Sequence, residues 1–168
     1  GLVGTMSQLG KTFAFKLQRV PQYPPTSDRL VGWSRDLDAM RDRLLAFDRS
    51  FDAAERTRTK AAIERLRSQL PALSDDAIRV RLAGITALAH NEHTRLYLLR
   101  NRTEVRRMPI RAWWFGRELR VIRASPEYAR YLGCRIDRVG SLPAQAAKAR
   151  VMPLFAGSPT WQTYMSSY

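Results

Sequence analysis

The chain has 168 residues, 45% of them hydrophobic and 26% charged, which suffices for one ordinary domain or two small packed ones with a core. Lysine and arginine number 29 against 15 acidic residues, giving a formal charge of +14 at pH 7; 25 of the 29 are arginines spread over nearly every segment, a dispersal that coding bias explains as readily as an anionic ligand. One cysteine excludes an internal disulfide or a cysteine-based zinc site, and no run of about 18 apolar residues suggests a membrane span.

Residues 1–32 are expected to be an extended or disordered segment, since the first twenty lack a clean apolar leader core and "VPQYPPTS" (Val20–Ser27) carries three prolines. A first helix is expected from about Trp33 to Arg49, with Ser34 as its cap, Asp36 in its first turn and Leu37, Met40, Leu44 and Phe47 on the helical period. Asp52 caps a second, with Ile63, Leu66 and Leu70 on one face and Pro71 as its stop. Ser74 caps a third, Asp75 and Asp76 complement its positive end, and Ile78, Leu82, Ile85 and Ala89 form its apolar stripe. Short connections between three amphipathic helices predict a bundle over residues 33–92.

The period then changes. Leu96 and Leu98 alternate with Arg95 and Tyr97, and Ile110–Phe115 and Leu119–Ala124 read as two strands turning at Gly116 and Arg117, with Leu119, Val121 and Arg123 on one face. "SPEYARYLG" predicts a helical turn opened by Ser125 and Pro126 and closed by Gly133. Cys134, opening the short strand "CRIDRVG", is expected as a small core residue. Pro143–Phe155 reads as a helix on Ala144, Ala147 and Val151. A last helix opens at Ser158 and Pro159 with the stripe Trp161, Tyr164, Met165 and Tyr168, and its uncapped end suggests a fragment of something longer. The fold class is α+β: a three-helix bundle (33–92), a small β-hairpin-containing module (93–150) and a C-terminal linker helix (151–168).

Chemistry is sparse. His90, Glu92 and His93 in "ALAHNEHTRLYLL" suggest a metal site, but zinc takes three or four protein ligands and the chain has no third histidine, so neither metal nor other cofactor is expected. The eleven serines include no GxSxG or SxxK pattern, so no nucleophilic site is complete. Arg95 to Arg123 holds nine arginines against Glu104 and Glu118, a local +7, and is the candidate face for a nucleic acid or other polyanion: Arg106, Arg107, Arg111 and Arg120 would bind anions beside the stacking platforms Trp113, Trp114 and Phe115.

"LALAHNEHTRLYL" followed by "MPIRAWWFGRELRVIRASPEYARYLGCRIDRVGSLPAQ" resembles the N-terminal half of bacterial tail-specific, or C-terminal processing, serine peptidases over residues 33–168. In many members a helical bundle ends in a GDGHT-like motif, and a "WF-x-DGLYVxRA"-like segment follows. His90, Asn91, Glu92, His93 and Thr94 fall on those five positions; His93 and Thr94 agree, whereas Asn91 replaces the aspartate and His90 and Glu92 the glycines. Arg117 and Glu118 replace the Asp-Gly of the hairpin. The resemblance implies a PDZ-like module over Leu119–Ala147 that accepts peptide as an added strand, with Leu119, Val121 and Arg123 as peptide contacts. It implies a serine-type peptidase as parent protein, periplasmic or secreted, whose Ser/Lys site lies downstream; this chain would be inactive alone, and its partners would be the peptide or protein substrate and its own catalytic domain. His93 is the one supporting candidate for that site within the chain.

Overall fold

The computed structural model describes residues 2–8, 10–17, 26–97 and 108–167. They form a mixed α+β structure of helices and small antiparallel sheets.

Residues near the N-terminus form a hairpin, β1 (Leu2–Gln8) and β2 (Lys11–Leu17), in register from Leu2↔Leu17 to Gln8↔Lys11, with Gly10 at φ +74° in the turn. Helix α1 (Arg29–Ala39) starts well ahead of Ser34 because Asp28 supplies the cap, its Oδ1 accepting from the backbone N–H groups of Leu30 and Val31. Its first turns are pinned from a distance: Arg29 Nε and Trp33 Nε1 both donate to Asp75 Oδ1, at 2.6 and 2.9 Å.

A π segment, Met40–Leu44, joins α1 to the short α2 (Leu45–Phe47). Eight residues of regular helix would set Leu37 and Leu45 about 80° apart; the wider π turn brings both into the interior, at 0% and 3% exposure, and turns Phe47 out to 80%. Phe47 therefore leaves the apolar stripe on which its spacing placed it.

Helix α3 (Ala53–Gln69) opens with a capping box: Asp52 Oδ1 accepts from Glu55 N and Glu55 Oε2 accepts from Asp52 N, both at 2.7 Å. Helix α4 (Asp75–Thr86) is capped by Ser74 and continues as a 3₁₀ turn, Ala87–Ala89. Leu37, Ile63, Leu66, Leu70, Ile78, Leu82 and Ile85 make the largest core; Leu45, Phe51 and Ala89 make a second.

Strands β3 (Ile110–Phe115), β4 (Glu118–Ala124) and β5 (Arg135–Ile136) form an antiparallel sheet in that order. Gly116, at φ +61°, and Arg117 make the two-residue turn, so positive φ falls on glycine at the first turn position and Arg117 needs none. The register passes from Ala112↔Val121 to Arg111↔Arg123, leaving Ile122 as a bulge. β6 (Arg138–Val139) and β7 (Leu142–Pro143) form a small hairpin leading into α5 (Ala144–Val151), and α6 spans Pro159–Met165. Trp114, Leu119 and Ala144 are the core between sheet and α5, with Ala112 and Ile136 against them.

Several local expectations change. "CRIDRVG" holds two short strands, one pairing with β4 and one with β7. The helix expected over Pro143–Phe155 breaks after Val151 into a 3₁₀ turn at Met152–Leu154, where Pro153 sits. Residues 95–97 form no strand, and Leu98 lies outside the described residues. Cys134 is exposed rather than buried: its backbone accepts from Val121 N in the tight approach to β5, and the thiol is left outside. No described helix is long and apolar enough to cross a membrane.

Candidate functional site

The polar turn after α4 joins three parts of the fold. His90 ends the 3₁₀ segment at φ +50°, the single described non-glycine residue at positive φ. Its Nε2 lies 3.4 Å from Glu55 Oε1 of the capping box, with the ring largely in solvent. Asn91 bridges: its Nδ2 donates to Ser50 Oγ at 2.6 Å and its Oδ1 accepts from His93 N at 2.9 Å. Thr94 Oγ1 donates to Asp48 Oδ2, while Asp48 Oδ1 accepts from Ser50 N at 2.8 Å. Partial burial raises the Asp48 carboxyl pKa, but bonds from Thr94 and Ser50, with Arg56 nearby, outweigh it and hold the group below the usual carboxylate range.

His93 points its ring outward, and its backbone N–H completes the Asn91 turn. Glu92 packs against the C-terminal segment: a Cβ added to Gly157, itself at φ +99°, would lie 2.9 Å from Glu92 Cβ and 3.1 Å from Trp161 Cδ1. Only glycine satisfies both that backbone angle and that approach.

Beyond the turn, Arg95 lies over the rings of Tyr97 and Trp161, at 4.7 and 5.2 Å, with Nη1 3.4 Å from Met165 Sδ. Trp161 stacks on Tyr164 at 5.1 Å, and Tyr164 meets Trp113 of β3 edge-on at 5.3 Å. This ladder ties the exit of the helical unit to α6 and, through α6, to the sheet. Sequence reading caught Trp161, Tyr164 and Met165 of the stripe, with Tyr168 outside the described residues, but not Arg95 and Trp113 as their partners, because that pairing is made across the fold.

The other sequence candidates are dispersed. Leu119 and Val121 are buried, at 7% and 4%, while the bulge at Ile122 changes the alternation and leaves Arg123 exposed; of the three, Arg123 is the one that meets solvent. Arg120 is held by Glu118, at 2.7 Å, and donates to Gly133 O at 2.9 Å. Arg111 is half-buried in β3, and Arg106 and Arg107 lie outside the described residues. Trp114 is buried, Trp113 is half-buried on Tyr164, and Phe115 is the exposed ring of the three. Among the described residues no group of three or more His, Cys, Asp and Glu side chains gathers as a metal-ligand set.

Comparison with protein-family models, curated proteins and solved structures finds no match to this chain.

Proposed function

We propose that the chain is the non-catalytic N-terminal region of a tail-specific serine peptidase, which positions peptide for a Ser/Lys site encoded downstream. The observation that supports this best is the backbone at His90. The first glycine of the GDGHT-like motif falls on this position, and it is here that the chain enters the left-handed region that glycine favours. A motif glycine has thus been replaced while the conformation that calls for it remains.

In this reading the helices up to residue 92 are a bundle that carries the turn, and β3, β4, β5 and α5 are the PDZ-like module. The sheet with α5 laid across it through Trp114, Leu119 and Ala144 is the strand-plus-helix arrangement that peptide addition uses. Arg123, exposed on β4, is the side chain available to an acidic or C-terminal carboxylate. His93 faces outward from a turn fixed on both sides, suited to supporting a site on an apposed domain.

Reading the gene downstream of residue 168 tests the assignment. A strand-turn-helix bearing a serine, followed some tens of residues later by a lysine, is the expected result; a stop codon directly after residue 168 would overturn it. In the polyanion reading, Arg120 would have to give up its pairing with Glu118.

A further inference from the structure

The helical unit carries a surface that the peptidase reading does not use. Between α3 and α4 lies an open groove of about 480 Å³. Ala62, Leu66, Ile85 and Leu88 line its apolar floor, and Arg58, Arg65 and Arg81 stand along it. Arg58 and Arg65 are seven residues apart on α3, which places them two turns apart on one face, about 10 Å along the axis. Neither guanidinium pairs with a carboxylate among the described residues. Arg81 donates to the neutral Gln69 Oε1, so its charge is uncompensated too. The acidic side chains of α3 are engaged elsewhere: Glu55 with Asp52 N and His90, Glu64 with Arg67 and Arg41.

An apolar floor with only positive charge along it specifies its occupant. We propose that this groove docks an acidic amphipathic helix of a partner protein, with apolar side chains on the half-buried Ala62 and Leu88 and carboxylates two turns apart on Arg58 and Arg65. Helix-in-groove recognition needs this combination. A nucleic acid would leave the apolar floor unused, and a single acyl chain in so open a groove would keep one side in water. The charges set register and association rate, and Ala62 and Leu88 supply the apolar contact.

Fluorescence anisotropy tests the proposal with a labelled amphipathic peptide about five turns long, leucine and alanine on one stripe and glutamates flanking it. A companion peptide carries lysine at every glutamate position. The glutamate peptide should bind the chain, and the lysine peptide should bind at least about tenfold more weakly. The exposed double variant Arg58→Glu/Arg65→Glu should lose at least about tenfold in affinity for the glutamate peptide, with its circular dichroism spectrum unchanged and its affinity for the lysine peptide raised. Failure of the glutamate peptide to bind, equal binding of both peptides, or unchanged affinity in the double variant would overturn the proposal. So would sedimentation of the chain with phosphatidylglycerol vesicles while the glutamate peptide stays free, which would assign the groove to a lipid surface.

Discussion

At the scale of single residues, the polar turn stores strain at one point and depends on close approach at another. His90 holds a left-handed backbone with a side chain whose exposed contact to Glu55 is worth little. His90→Gly should therefore raise stability by about 1 kcal/mol, or about 2–4 °C in melting temperature; a lower melting temperature would show that the Glu55 contact outweighs the strain. Gly157→Ala faces both a φ of +99° and a Cβ 2.9 Å from Glu92, so thermal melting should report a loss of about 2 kcal/mol or more. Asp48 gives the turn a pH dependence. Its folded carboxyl titrates below the unfolded value of about 3.9, so its stabilisation is complete above that pH and is lost as pH falls through the lower folded value. Acid melting curves should steepen below about pH 4 in the wild type and flatten in Asp48→Asn; equal acid slopes would remove Asp48 from the account. None of Asp48, Ser50 and Gly157 could be picked out in the sequence as parts of one turn, because Thr94 and Asp48 meet only after two helices have packed between them.

At the scale of elements, what the sequence disclosed was what is local. Asp52, and Ser74 with Asp75 and Asp76, read directly as helix starts, because a cap is written within four residues. The hairpin turn at Gly116 was equally plain. Three features were not, and each depends on distant partners. The first turns of α1, capped locally by Asp28, are fastened in place by Arg29 and Trp33 reaching Asp75. The π segment turns the chain so that Leu37 enters the largest core and Leu45 the second. The bulge at Ile122 shifts Arg123 relative to Arg111, which alternation alone cannot foresee. The ladder from Arg95 to Trp113 belongs to the same class, and its strength is measurable. A double-mutant cycle on Trp113→Ala and Tyr164→Ala should return a coupling of about 0.5–1.5 kcal/mol. A value near zero would mean that α6 and β3 are held by other contacts.

At the scale of the whole molecule, a polar and aromatic seam runs from Asp48 through Thr94, Arg95 and Trp161 to Trp113 and joins helices to sheet among the described residues. A seam of this kind fixes the orientation of the β-containing part against the helices, as the proposed peptide-positioning role would require. The +14 charge is a property of the whole surface: some described arginines sit in internal ion pairs, three line the groove of α3 and α4, Arg95 lies on aromatic rings and Arg123 meets solvent. The proposed function assigns peptide-bond chemistry to a parent protein and not to residues 1–168. Mass spectrometry of an unstructured protein substrate, incubated in parallel with residues 1–168 and with the product of the complete reading frame, tests it most directly. The account predicts an intact substrate with the first and trimming from the C-terminal end with the second, abolished when the downstream serine is changed to alanine; cleavage by residues 1–168 alone, or none by the complete product, would contradict it.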